Sequence, residues 1–296
     1  MFERIMVPLD GSKIAEQAFP YVTELARAFG SEVMSVGICE PEESEYSHIC
    51  QVYMNNQAEL LKSKMEKDSA AKVKAVVLSG RPAEEILGYA EKNDVSLIVM
   101  TSHGRSGIKP WSLGSTVDKI LHKIAAPLLI IKATEQPSEF EKTRLFNRIL
   151  VPLDGSEACE VALLYISELM QKLKSEVALL QVISSGKHVH TIGGIDYIAF
   201  KDYDIESMEA RDQEYLNKVC NKLHESKNLV KKCEVRVGDP AQEIVKCANE
   251  MDCQLIMLPS HLHSGIERWA FGSVTYKILQ TTNKSILLIP LPISSG

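Results

Sequence analysis

Two short segments of this 296-residue chain carry the residue types that an anion site needs. One is Pro8-Leu9-Asp10-Gly11. The other runs Thr101-Ser102-His103-Gly104-Arg105-Ser106-Gly107 and continues to Gly114-Ser115-Thr116. Glycine lets backbone N–H groups approach an anion closely, and the start of a helix adds unpaired donors and a favourable dipole. Ser115 and Thr116 add hydroxyls, while Arg105 and Lys109 are charges for the anion side or for solvent. A glycine-rich loop alone is equally well a turn. Its meaning depends on the fold around it.

Other chemistries find less support. Asp10 and His103 could form an acid/base pair, but no nucleophile is placed between them. Ser102 sits in no nucleophile-elbow pattern. There is no Gly-x-x-x-x-Gly-Lys loop and no kinase signature. His188, His190, His261 and His263 could bring four imidazoles to one transition metal. His-x-His pairs are also common on solvated loops, and no Cys or carboxylate has ligand spacing, so no metal is expected. His48-Ile49-Cys50 reads as a polar loop ahead of the second helix. The seven cysteines form no Cys-x-x-Cys pair and read as reduced thiols on apolar segments.

Both halves of the chain are acidic within a net charge of −6, which disfavours binding to nucleic acid through phosphate neutralisation. No apolar run reaches the roughly 18 residues of a membrane span. The N-terminus passes straight into a strand pattern without the segments of a signal peptide. A cytoplasmic protein is expected.

The elements that must position these residues come twice. Phe2-Glu-Arg-Ile-Met-Val-Pro-Leu-Asp-Gly-Ser12 returns as Phe146-Asn-Arg-Ile-Leu-Val-Pro-Leu-Asp-Gly-Ser156, and Ser31-Glu-Val33 as Ser175-Glu-Val177, both 144 positions on. Gly80-Arg-Pro-Ala-Glu-Glu-Ile86 returns as Gly238-Asp-Pro-Ala-Gln-Glu-Ile244, and Gly114-Ser115 as Gly272-Ser273, now 158 positions on. The second copy therefore gains 14 residues near 184–204, between its second and third strands. That segment holds His188, His190, Gly193, Gly194, Tyr197, Phe200 and Tyr203. The period is a domain, so two domains are expected, at 1–133 and 146–296, with a polar linker at 134–145.

Within the first copy, continuous apolar runs at 3–9, 32–39, 73–79, 96–100 and 128–132 alternate with helical spacing at 13–29 and 52–70. Two further helices open at Pro82 and after Gly114. Alternating strands and helices make each domain a doubly wound α/β unit with a parallel sheet. Ligands of such sheets bind beyond the carboxyl ends of the strands, where the strand order reverses. Trp111 and Trp269 recur at the same place and should pack at the start of the fourth helix.

At these residues the chain resembles a tandem universal stress protein over nearly its whole length. The nucleotide signature of that family is Gly, two residues, Gly, nine residues and Gly-Ser/Thr. Here it falls on Thr101, Gly104, Gly114 and Ser115, with only the first glycine replaced. The resemblance implies two five-stranded sheets ordered 3-2-1-4-5, Rossmann-like, and ATP (or AMP or ADP), with Mg2+, in the first domain. It implies Asp10, beside Pro8, at the nucleoside and the backbone of Ile38 at the adenine. It places Gly104, Gly107, Ser115 and Thr116 at the phosphates, with Thr101, His103, Arg105 and Gly114 around them. In the second copy the signature lands on Pro259, Leu262, Gly272 and Ser273. Pro259 lacks an N–H and Leu262 puts a branched side chain in the phosphate path, so this copy reads mainly as scaffold. A pocket rebuilt for another ligand is the alternative.

By the same analogy the fifth strands, 128–132 and 285–290, pair within the chain and make it a pseudo-dimer, covering two apolar edges. Whole chains are then expected to form a homodimer. The function expected is nucleotide binding as a conformational or partner-binding signal in a stress response, with an unidentified protein partner. A non-nucleotide sensor or scaffold working through the second domain is one alternative. A slow ATP hydrolase is another, though it would need a charge clamp beyond one arginine.

Overall fold

The computed structural model describes residues 1–39, 47–65, 72–105, 107, 113–134, 144–156, 159–184, 190–192, 195–197, 205–223, 229–260 and 272–290. In the first half, β1 (Arg4–Leu9) is buried from Ile5 onward, as a strand covered on both faces must be. It is flanked by β2 (Glu32–Cys39) and β4 (Leu97–Thr101), with β3 (Val73–Ser79) and β5 (Leu128–Ile131) outside them. Every pairing within this half is parallel, in the order β3-β2-β1-β4-β5. Helices α1 (Phe19–Phe29) and α2 (Ser47–Met65) pack on one face. On the other lie α3 (Pro82–Lys92) and α4 (Ser115–Leu121).

The helix expected over 13–29 is divided. A single 3-10 turn spans Ala15–Ala18 before α1 begins. Pro20 explains the break, because it has no N–H to continue the ladder and sits instead in the first turn of α1. Gly30 ends α1 in the left-handed conformation, with φ 69°, and donates its N–H to Ala26 O at 2.9 Å.

The second half repeats the plan. It contains β6 (Arg148–Leu153), α5 (Cys159–Leu173), β7 (Glu176–Ser184), α6 (Ile205–Lys222), β10 (Val230–Gly238) and α7 (Pro240–Glu250). The series closes with β11 (Leu255–Ser260), α8 (Ser273–Thr281) and β12 (Ser285–Pro290). Its order, β10-β7-β6-β11-β12, is that of the first half. Between β7 and α6 the chain forms a small antiparallel pair, β8 (His190–Ile192) with β9 (Ile195–Tyr197), that the first half lacks among the described residues.

The two five-stranded sheets are not separate. Antiparallel pairing of β12 with β5 fuses them into one ten-stranded sheet. The fifth strands are apolar, Leu-Leu-Ile-Ile and Ile-Leu-Leu-Ile, and pairing removes their open edges. Leu129 pairs with Leu287, Leu128 with Leu288 and Ile130 with Ile286. Leu129 and Leu287 occupy the same position in the two copies, so a pseudo-two-fold axis passes through their pair. Aromatic contacts obey the same axis. Tyr21 meets Phe146 edge-on at 5.7 Å, and its counterpart Tyr165 meets Phe2 at 6.0 Å. Both phenylalanines are fully buried. Lys132 Nζ breaks the symmetry, donating to Leu279 O across the seam at 2.8 Å.

At the other end of the strands each copy uses an arginine clamp. Arg4 donates to Asn93 O and lies 3.8 Å from Glu32, while Arg148 donates to Met251 O and to Glu176 at 2.9 Å. Among the described residues no helix is long and apolar enough to cross a membrane.

Candidate functional site

Connections leave β1 toward β2 and β4 toward β5, in opposite directions across the sheet, so a crevice opens above the carboxyl ends of β1 and β4. Asp10, one residue beyond β1, closes the floor of this crevice. Its Oδ1 accepts from Ser12 N (3.0 Å) and Ser12 Oγ (2.6 Å), and Ser12 Oγ accepts from Ala15 N (3.1 Å), starting the 3-10 turn. Its Oδ2 accepts from Arg105 N at 2.6 Å. One carboxylate thus ties the loop after β1 to the loop after β4. Gly104 makes the tie possible, since a Cβ there would stand 2.0 Å from Asp10 Oδ2.

The loop after β4 is shaped from within. Thr101 Oγ1 donates to His103 O (2.6 Å), Ser102 Oγ meets His103 Nδ1 (3.0 Å), and Ala133 N donates to Ser102 Oγ (3.1 Å). Gly107, at φ 80°, donates its N–H to Gly104 O at 2.9 Å and turns the chain. Gly114 N then returns to Ser102 O at 2.8 Å, and a Cβ on Gly114 would lie 3.3 Å from that same oxygen. Directly after it α4 begins, and the first-turn N–H groups of a helix have no intrahelical acceptor.

The crevice encloses about 620 Å³, within the range of small-molecule sites. Its polar lining comes from Asp10, Gly104, Arg105, Gly114, Ser115 and Thr116. Its apolar lining comes from Ile38, Met100 and Ile86, and from Ile49, Cys50, Tyr53 and Met54 of α2. Met54 presses on the strand at Gly37, where a Cβ would come within 2.8 Å of its side chain. Glu16 fastens α2 over the site, accepting from Tyr53 Oη and Gln57 Nε2, each at 3.3 Å, and from Lys13 Nζ at 2.8 Å. Burial, then the Glu16 charge, pushes the Tyr53 phenol far above its ordinary range, so it stays a neutral donor.

Of the residues singled out in the sequence, Pro8, Asp10, Ile38, Thr101, His103, Gly104, Arg105, Gly114, Ser115 and Thr116 all line this one cavity. Gly107 does not line it and acts through the turn it makes. Ser106, Lys109 and Trp111 lie outside the described residues. The α2 wall was not legible as part of the site. His48, Ile49 and Cys50, read as a polar loop, form the first turns of α2 instead, and Ile49 and Cys50 face the cavity. The signal was present: apolar residues at 49, 50, 53, 54, 58 and 61 keep helical spacing well before position 52 stops being ambiguous.

The second half keeps the frame and changes the lining. Asp154 Oδ1 accepts from Ser156 N at 2.9 Å, Gly155 has φ 81°, and Gly272 precedes α8. Pro259 lies in β11 beside Ile289. At the place of Gly37 stands Gln181, buried, with its Oε1 unpaired and its Nε2 3.3 Å from where a Gly155 Cβ would be. At the place of Met54 stands Asp212, buried and accepting from Arg211 Nε at 3.0 Å. Glycine and methionine of the first half are thus replaced by buried polar side chains. Leu262, Trp269, His188, His261 and His263 lie outside the described residues, and His190 opens β8. Among the described residues no three His, Cys, Asp or Glu side chains converge on a metal position.

The sequence pattern of the Universal stress protein family matches residues 1–132 and again 145–290. The universal stress protein MJ0531 of Methanocaldococcus jannaschii is 28% identical over 141 residues, covering 45% of this chain and 83% of that protein. Slr1230 of Synechocystis is 20% identical over 313 residues, covering 96% of this chain and 99% of its own. The crystal structure of a universal stress protein from Archaeoglobus fulgidus superposes with a TM-score of 0.70 at 18% identity, covering 98% of this chain and 99% of that one. Matched twice along its length and sharing the tandem architecture, this chain belongs to the universal stress protein family.

Proposed function

We propose that the first half binds one adenine nucleotide, ATP or its di- or monophosphate, and that occupancy acts as a signal in a stress response. The observation that carries this reading is one cavity lined both by apolar side chains and by a glycine-bearing helix start, with Asp10 tying its two loops together. The apolar lining, with the Ile38 backbone and the α2 wall, fits a purine. Gly104, Gly114, Ser115 and Thr116, with Arg105 beside them, fit the phosphates. Mg2+ would arrive on the phosphates, which hold it through their own oxygens. The second half, with Gln181, Asp212 and Pro259 in the corresponding places, takes no nucleotide. The signal would be read in the cytoplasm by a protein that distinguishes the filled from the empty first half.

Calorimetric titration of ATP-Mg2+ into the full chain and into Gly114→Asp tests the reading. The added carboxylate would crowd Ser102 O and repel the phosphates. Binding by the parent chain with at least a hundredfold loss in the variant is expected. Absence of binding to the parent chain, or equal binding by the variant, overturns it.

A further inference from the structure

The second half holds a pair of thiols that the nucleotide reading does not use. Cys220, in the last turn of α6, and Cys233, in edge strand β10, place their sulfurs 2.6 Å apart. A disulfide bond is about 2.05 Å long, so only a small closing movement separates the two thiols from a covalent link. The corresponding positions of the first half are Lys62 and Ala75, so the pair belongs to the second copy alone. The register supports the match, since Ala75 pairs with Ser35 and Cys233 with Leu179, the same place in β2 and β7.

We propose that Cys220 and Cys233 form a reversible intrachain disulfide on exposure to hydrogen peroxide, making the second half an oxidant-responsive element. Oxygen transfer from peroxide to Cys220 Sγ yields a sulfenic acid and one water. Cys233 Sγ then bonds to that sulfur, the S–O bond breaks, and the departing hydroxide leaves as water with the Cys233 proton. Two thiols and one peroxide become one disulfide and two waters. Burial, reinforced by the neighbouring Cys220, pushes the Cys233 thiol up, and the step balances equally with the two thiols exchanged. Three of the other thiols are shielded: Cys39, Cys247 and Cys253 are buried, and burial pushes the last two up to about 11 and about 12.

The link would fasten the end of α6 to the edge of the ten-stranded sheet. α6 is the helix that follows the β8–β9 pair and carries the buried Asp212. Oxidation therefore fixes the C-terminal end of that helix against the sheet. The first half has no equivalent tether.

The reduced full chain, treated with a small excess of hydrogen peroxide, is alkylated with N-ethylmaleimide in denaturant and weighed by mass spectrometry. Two fewer alkylated thiols than the seven of the untreated chain are expected. A cross-linked peptide pair should join Cys220 to Cys233, and dithiothreitol should abolish it. Cys220→Ser and Cys233→Ser should each lose that pair, whereas Cys50→Ser should keep it. Peptide mapping of the parent chain decides the pairing even if a variant folds poorly. Seven alkylated thiols after treatment, a link to any other cysteine, or a link only between chains overturns the proposal.

Discussion

Replacing Gly104 by alanine isolates the contact on which the two-loop site depends. The new Cβ would stand 2.0 Å from Asp10 Oδ2, and real Cβ atoms do not approach below 3.0 Å, so the carboxylate must retreat by about 1 Å. Arg105 N cannot follow, because it belongs to the residue next to the new methyl, and its 2.6 Å hydrogen bond to that oxygen is lost. A hydrogen bond to a charged acceptor contributes about 1.5–3 kcal/mol. Asp10 is exposed, so water replaces part of it, and a loss of roughly 1 to 1.5 kcal/mol in urea unfolding is expected. With the loop untied, ATP affinity should fall about tenfold, or about 1.4 kcal/mol. The control is Asp10→Ala, which removes the same carboxylate without a clash. In that background Gly104→Ala should cost close to nothing, giving a coupling about equal to the single-variant loss. An unchanged cost in the Asp10→Ala background would refute the reasoning.

Three further outcomes follow from the same structure. Phe2→Ala and Phe146→Ala should each destabilise the chain by about 3–5 kcal/mol in urea melts. Similar losses are expected because the two rings make mirror contacts with Tyr165 and Tyr21, and losses under about 1 kcal/mol would deny the seam its role. Arg148 hydrogen bonds hold the Glu176 carboxyl below its ordinary range, so their stabilising contribution is present above that range and lost as pH falls through the folded value. The stability gap between the parent chain and Arg148→Met should therefore narrow as pH drops below about 4.3, and a gap that widens would contradict the sign. Bound ATP should slow N-ethylmaleimide labelling of Cys50, which belongs to the apolar lining of the cavity, and leave Cys220 labelling unchanged; equal protection of both would point to global tightening instead.

The alternation of strands and helices and the two loops were legible because they rest on local signals that come twice, whereas the strand order came from the family resemblance. Asp10, Gly104 and Gly114 stand at strand ends and a helix start, where residue type and position act together. The fused sheet came from the family resemblance, which pairs fifth strands, and the two apolar edges it covers agree with it. What the pattern concealed was lateral. The α2 wall depends on where a helix begins: the apolar spacing reaches back to Ile49, but polar residues such as Gln51, Asn55 and Asn56 dilute the stripe, and α2 opens at Ser47, five residues before the expected start. The thiol pair was hidden for a different reason. Cys220 and Cys233 lie 13 positions apart on a helix and a strand, and no spacing rule brings such residues together. Only the register of β10 against β7 and the packing of α6 on that sheet do so.

Buried polar side chains at Gln181 and Asp212, where the first half has Gly37 and Met54, are the strongest reason to treat the halves as unequal despite their common frame. The number of nucleotides per chain tests this asymmetry most directly. Equilibrium dialysis of the full chain against labelled ATP-Mg2+, carried to saturation, should give one nucleotide per chain, and none in Gly114→Asp. Two per chain, or one that persists in Gly114→Asp, would contradict the account.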